Sequence, residues 1–272
     1  MDSRSRGVSE IISFVLVFGL IASTVGIVYV TGFSGLENAR DAERLENAER
    51  AYDVLADNMA DIYHGNAPSR KTEIKLSDSQ LTLAQPTTFT VTIEDVTDGA
   101  GNRLVYESNT RPLVFTLTDG PDTAIVYENG GVFRTERDGG VIVRDPPFLI
   151  TEERTVIPYV TLTSSSGTES MGGDSTVLVR ATKKGRNVLV QDTDTDVRVT
   201  LTIETDTERA PVWSRYINRR ANWAGSDWKD GDNVPCETTD PTSGDGRKTV
   251  TCTLEPNEFY LTSTGIETTI SA

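Results

Sequence analysis

The chain has 272 residues with 41 acidic and 26 basic side chains, which give a net charge of −15 at neutral pH. Such an acidic composition argues against nucleic-acid binding, because contacts with phosphates need a basic face. Arginine outnumbers lysine by 20 to 6. This composition fits either a generic acidic surface or the lysine-poor surface of a halophile, and the length suffices for one large β domain or two small ones.

The segment from Ile11 to Phe33 contains no charged residue in 23 positions. At about 1.5 Å per residue, a helix of this length spans the roughly 30 Å hydrocarbon core of a bilayer. Its glycines, serines and threonines would weaken a helix in water, but small residues allow close packing between helices in a membrane. We therefore predict a transmembrane helix over residues 8–33, with a buried core helix as the alternative.

The ten residues before this segment, MDSRSRGVSE, place two arginines and a glycine ahead of the apolar run. An ordinary signal peptide has its cleavage site after its apolar region, whereas the suggestive site here precedes it. The leader resembles the class III signal of type IV pilins and archaellins, as found in haloarchaeal pilin-like proteins. That resemblance implies cutting by a prepilin peptidase between Gly7 and Val8, after Arg6, and the alternative is an uncleaved signal anchor. Glu10 would be the third mature residue, whereas many bacterial pilins carry glutamate at the fifth.

Charges that flank the apolar segment predict its orientation. Arg4 and Arg6 precede it. Acidic residues dominate the other side, namely Glu37, Asp41 and Glu43, although Arg40 and Arg44 are also there. The positive-inside rule places the short N-terminus in the cytoplasm and the large domain outside the cell. The lipid bilayer is thus an expected partner. The resemblance adds a prepilin peptidase, pilus assembly machinery and other pilin-like subunits.

An amphipathic helix is predicted over residues 34–64. Its apolar positions follow the 3.5-residue period, namely Leu45, Ala48, Tyr52, Leu55, Met59 and Ile62. This helix packing seam has two possible partners, the chain's own β domain or helices of neighbouring subunits. Asp53, Asp57 and Asp61 lie at spacing i, i+4, i+8, which predicts like-charge repulsion along the opposite face.

From residue 65 onward the pattern predicts a mainly antiparallel, sandwich-like β domain. Alternating apolar residues mark strands around Phe89–Ile93, Leu113–Leu117, Val197–Ile203 and Val250–Leu254. The turn residues at 129–131 and 138–140 predict a three-strand meander over residues 124–143.

One short helix interrupts this pattern over residues 211–223. Its aromatic residues are expected to dock on a sheet, and an exposed aromatic-basic site with Arg215, Arg219 and Arg220 is the alternative. The Gly-, Asp- and Pro-rich residues 225–246 indicate a long loop. Cys236 lies within this loop, and Cys252 follows it. Cys252 shares the strand parity of inward-facing neighbours, so we predict a disulfide between the two cysteines.

Side chains for catalysis are scarce. The sequence has one histidine, His64, at the predicted end of the helix. A Ser-His-Asp or Cys-His catalytic site would therefore have to use this one residue. Asp192, Asp194 and Asp196 resemble half a calcium loop without its glycine and terminal glutamate, which favours a solvated turn. We expect no enzyme activity, cofactor or metal.

The sequence therefore predicts an α+β protein with four parts. These are a leader (1–7), a transmembrane helix (8–33), an amphipathic helix (34–64) and an extracellular β domain (65–272). The expected function is that of a pilin or minor pilin subunit of a surface filament. The alternative is a membrane-anchored envelope binding domain that does not polymerise.

Overall fold

The computed structural model describes residues 4–97, 103–137, 139–165, 168–191, 197–221, 235–240 and 246–272. The side chains of residues 4–10 and 95–97 also lie outside the description. The chain divides into two units, residues 1–46 and residues 47–272. The first is helical wherever it is described, and the second holds the end of the same helix, three β-sheets and one short helix. The predicted α+β fold is confirmed.

Helix α1 runs from Arg4 to Tyr63 as one helix of 60 residues. Gly32 and Gly35 do not interrupt it, so the predicted transmembrane and amphipathic segments belong to a single helix. It ends where the sequence indicated, because Asn66 adopts a positive φ of 66° just after Gly65.

The described part of the second unit forms sixteen strands and helix α2 (Ala210–Arg220). The strands are β1 (Ser69–Lys75), β2 (Ser79–Leu83), β3 (Thr87–Thr97), β4 (Arg103–Thr110), β5 (Leu113–Leu117), β6 (Ala124–Glu128), β7 (Gly131–Glu136), β8 (Gly139–Arg144), β9 (Leu149–Ile150), β10 (Arg154–Ser164), β11 (Ser170–Gly173), β12 (Thr176–Val190), β13 (Val199–Asp206), β14 (Cys236–Thr239), β15 (Arg247–Leu254) and β16 (Glu258–Ser271).

These strands pair into three sheets, which we name A, B and C. Sheet A has the order β1-β12-β16-β10-β9, sheet B the order β11-β2-β5-β6-β7-β8, and sheet C the order β14-β15-β13-β3-β4. The β10–β16 pair is parallel, and every other described pair is antiparallel. A two-residue turn joins β6 to β7, with positive φ at Asn129 (45°) and Gly130 (85°). Strands β6, β7 and β8 form the predicted meander.

One prediction for the β domain was wrong. Part of the expected loop over residues 225–246 is strand β14, which pairs with β15. Its sequence, CETT, lacks the apolar alternation that marks a half-buried strand, and three of its four residues are exposed. An edge strand of this kind depends on its pairing with β15 and not on a buried face of its own.

The main core lies where all three sheets meet helix α2. Trp213 of α2 is fully buried at its centre. Its ring lies 5.2 to 5.6 Å, between centroids, from the rings of Phe89, Phe133 and Phe148. Tyr216 is buried beside it. The aromatic residues of α2 therefore dock the helix on the sheets, as expected. Trp223 lies outside the described residues.

Candidate functional site

The first half of helix α1 presents an exposed apolar surface, which we call the apolar segment (residues 11–33). Its large apolar side chains are between 54% and 70% exposed. The helix is long and apolar enough to cross a membrane by length and composition, with a mean hydropathy of 2.6 over its best 18-residue window and none of that window buried. Leaving so much apolar area in water is unfavourable, at about 25 cal/mol per Å². The segment therefore fits a membrane anchor.

The two threonine hydroxyls within the apolar segment are satisfied by the helix itself. Thr24 Oγ1 donates to the carbonyl oxygen of Ile21 at 2.9 Å, and Thr31 Oγ1 donates to that of Ile27 at 2.8 Å. Ser34, just beyond the segment, donates to Val30 O at 3.0 Å. Such internal hydrogen bonds matter in lipid, where an unsatisfied polar group costs several kcal/mol.

Small residues open one side of the apolar segment. Gly19, Ala22, Ser23 and Gly26 follow helical spacing. A Cβ atom added at either glycine would meet nothing within 4 Å. Small residues of this kind let two helix backbones approach closely in a membrane. The arrangement can therefore accommodate either lipid or a second helix.

The predicted processing site lies at the start of the same helix. The backbone of Arg6, Gly7, Val8 and Glu10 belongs to α1, and their side chains lie outside the described residues. Cleavage between Gly7 and Val8 stays a prediction.

The second half of α1 buries the predicted seam. All six seam side chains are no more than 3% exposed. Tyr52 Oη donates to Leu113 O of β5 at 3.2 Å, and burial raises the pKa of Tyr52 well above its ordinary value. Asn58 Nδ2 donates to Thr72 Oγ1 of β1 at 2.9 Å. From Tyr52 onward the seam therefore packs on the chain's own β domain, which is the first of the two partners considered.

The expected charge repulsion on the opposite face of α1 was wrong. Asp57 forms an ion pair with Arg144 at 2.6 Å, and Asp61 forms one with Arg70 at 2.9 Å. Arg144 also donates to the backbone oxygen of Asp53. These arginines come from β8 and β1, so the helix sequence alone could not reveal the compensation.

The predicted disulfide is present. Cys236 and Cys252 are bonded across the β14–β15 pair, 16 positions apart in sequence. Both are buried, at 3% and 0% exposure. The bond ties edge strand β14 to a strand that contributes to the main core.

A buried ionic cluster was not predicted. Glu128, at the end of β6, is fully buried and lies 2.8 Å from Arg209 Nε. Its other carboxylate oxygen accepts from Trp213 Nε1 at 2.6 Å. Thr87 Oγ1 donates to Glu128 at 2.8 Å, and Thr205 Oγ1 is 3.5 Å away. The cluster joins sheet B, sheet C and helix α2. This position in the core assigns it a structural role.

Catalytic groups are sparse in the described part of the chain. No group of three or more His, Cys, Asp or Glu residues there could hold a metal ion. His64 follows the end of α1 and packs against Tyr63 with the two rings tilted, at 4.4 Å between ring centroids. Partial burial lowers its pKa, and Arg186 lowers it further. Asp192, Asp194 and Asp196 lie outside the described residues.

Two exposed arginines of α2 bind groups of the protein itself, and the Arg220 guanidinium lies 5.7 Å from the centre of the Tyr216 ring. Arg215 donates to Gly140 O, and Arg220 forms an ion pair with Asp145. Because Trp213 and Tyr216 are buried, the alternative of an exposed aromatic-basic site is not supported.

Comparison with known proteins places the chain in a family without assigning an activity. No curated protein and no solved structure matches the chain. A family model matches residues 6–269, and thus includes the apolar segment as well as the β domain. The chain belongs to the family of unknown function DUF7289.

Proposed function

We propose that the protein is a membrane-anchored, type IV pilin-like subunit of a cell-surface filament. The observation that carries the proposal is the charge-free apolar segment, exposed at the start of a helix whose later seam is buried on the chain's own β domain. Because the β domain already occupies the seam from Tyr52 onward, the apolar surface of α1 left for lipid or for other subunits is the apolar segment. The class III-like leader supports the same function.

In this proposal the apolar segment has two successive environments. The bilayer covers it before assembly, with the N-terminus in the cytoplasm and the β domain outside the cell. Apolar segments of other copies cover it in the filament, where the small residues allow close helix packing. A prepilin peptidase and pilus assembly machinery are the implied partners. The arginine-rich, lysine-poor acidic composition supports a halophilic archaeal source. No catalytic activity is proposed.

Mild shearing of cells tests this function. A filament subunit should leave the cells with the sheared filaments, so a substantial fraction of the protein should appear there and be visible by immunogold microscopy. A second membrane protein with a single uncleaved span serves as the control and should stay with the membranes. Protein that remains wholly in the membrane fraction would instead support a non-polymerising envelope binding domain.

The processing step gives a separate prediction. Intact-mass spectrometry of the native protein should find a chain that begins at Val8. Gly7→Leu should block cutting, because a bulky side chain replaces the small residue before the scissile bond, and should keep the protein in the membrane. Ser3→Leu is a matched control that should still be cut. A native chain that begins at Met1 or Asp2 would contradict the prediction.

A further inference from the structure

Strands β1 and β12 concentrate positive charge in an otherwise acidic protein. Together they carry one acidic residue, Glu73, and seven basic ones, which are Arg70, Lys71, Lys75, Arg180, Lys183, Lys184 and Arg186. Four of the six lysines of the chain are among them. The two strands thus have a net charge of +6, against −15 for the whole chain, so the remaining residues together carry −21.

Much of this charge lies exposed on neighbouring strands. Lys71 stands directly opposite Arg180 in the β1–β12 register, and both are exposed. Lys75 is exposed as well and shares the face of Lys71, whereas Arg186 stands opposite the buried Thr264 and therefore lies on the other face of the sheet. Within the described part of the chain Lys71, Lys75 and Arg180 form no ion pair, and Glu73 lies on their face between the two lysines. We call Lys71, Lys75 and Arg180 the basic patch.

Three of the other four basic residues of the two strands are already engaged. Arg70 forms an ion pair with Asp61 at 2.9 Å, and Lys184 forms one with Glu267 at 2.9 Å. Lys183 Nζ donates to Asn66 Oδ1 at 2.6 Å. The basic patch is therefore the part of this charge that remains available to a partner on one face of the sheet.

Protection of a sheet edge does not explain the whole patch. Lysines on edge strands discourage pairing with other chains, and β1 is an edge strand. Arg180, however, lies where β12 is paired on both sides, with β1 and with β16. Like charges directly opposite each other on a sheet are destabilising. Arg180 opposite Lys71 therefore adds a cost without protecting an edge.

We propose that the basic patch binds the acidic surface of a second copy of this chain. The argument is charge complementarity, because the rest of each copy carries −21 and presents a large excess of carboxylates to a neighbour. A contact between two different surfaces is heterologous, and repetition of such a contact generates open helical assemblies. The proposal rests on the proposed filament function and names one contact between its subunits.

Self-association of the full-length protein in a zwitterionic detergent tests the proposal. Sedimentation velocity should show concentration-dependent association of the wild type. Lys71→Glu/Arg180→Glu should weaken this association by about tenfold or more, because two attractive charge contacts become repulsive. Arg215→Glu/Arg219→Glu changes the net charge by the same amount at exposed positions of α2. The association constant of this variant should stay within about twofold of that of the wild type. Circular dichroism checks that each variant is folded.

Capture between tagged and untagged copies tests the heterologous geometry. The Lys71→Glu/Arg180→Glu protein retains its acidic surface, so it should still capture the wild type while failing to capture itself. The proposal would be overturned if all three proteins associated equally or if the wild type stayed monomeric at every concentration. Equal weakening of association in both double variants would also overturn it. Stronger association of the Lys71→Glu/Arg180→Glu variant would also overturn it, in favour of edge protection. Binding to hyaluronate without self-association would assign the patch to an acidic polymer instead.

Shearing of cells that express the Lys71→Glu/Arg180→Glu variant separates this proposal from the filament function. Normal release of filaments by the variant would overturn the patch proposal and leave the filament function intact. Failure of the wild type to leave the membrane would overturn the filament function itself. Release of the wild type with reduced release of the folded variant is the expected result.

Discussion

Replacing Glu128 with alanine is expected to lower the free energy of unfolding by about 3–5 kcal/mol. The carboxylate is fully buried and lies 2.8 Å from Arg209 Nε. The substitution would leave Arg209 buried with Asp206 as its remaining ion-pair partner. It would also leave the indole N–H of Trp213 without its acceptor. Chemical denaturation of the full-length protein in detergent, followed by circular dichroism of the β domain, measures the change.

Two matched variants make the Glu128 result specific. Glu128→Gln keeps the side-chain volume and an acceptor for Trp213, so it should cost less than the alanine variant. Glu153→Ala removes an exposed carboxylate and should change stability by no more than about 0.5 kcal/mol. Equal effects of Glu128→Ala and Glu153→Ala would contradict the structural role of the buried cluster.

Loss of the Cys236–Cys252 disulfide is expected to cost about 3 kcal/mol, because a loop of about 16 residues is no longer closed in the unfolded chain. The variant is Cys236→Ala/Cys252→Ala, which keeps small side chains at two buried positions. Chemical denaturation of oxidised wild type and variant gives the difference. Pairing of edge strand β14 should weaken with it, since this strand has one exposed side and few buried residues of its own.

Reduction supplies the control for the disulfide prediction. Dithiothreitol should lower the stability of the wild type toward that of the variant and leave the variant unchanged. Under denaturing conditions without reduction, a thiol reagent should label neither cysteine of the oxidised wild type. Labelling of both would show that the bond is absent from the native protein.

Local patterns in the sequence predicted much of the fold. The two-residue period marked β3, β5, β13 and β15, and Asn129-Gly130 marked the β6–β7 turn because those positions need positive φ. The 3.5-residue period identified the buried seam of α1, and the uncharged segment identified its exposed half. Each of these signals lies within a few residues along the chain, where periodicity and turn chemistry act.

Contacts between distant parts of the chain could not be predicted in the same way. Glu128 and Arg209 are separated by 81 positions, and Glu128 is the last residue of a strand, directly before a turn, where an acidic side chain gives no sign of burial. Arg144 approaches Asp57 from strand β8. Strand β14 is held by its pairing with β15, and its own sequence lacks apolar alternation. The basic patch appears when pairing brings β1 beside β12, although their residues lie about 100 positions apart.

Crosslinking through the apolar segment tests the central claim most directly, namely that other copies cover this surface after assembly. The native cysteines are bonded to each other, so Gly26→Cys adds one free thiol in the middle of the helix surface. Mild oxidation of sheared filaments should yield disulfide-linked dimers, whereas Gly7→Leu/Gly26→Cys, held in the membrane, should stay monomeric. The account would be contradicted if the Gly26→Cys protein stayed monomeric in every fraction and its new thiol reacted only with a lipid-soluble maleimide.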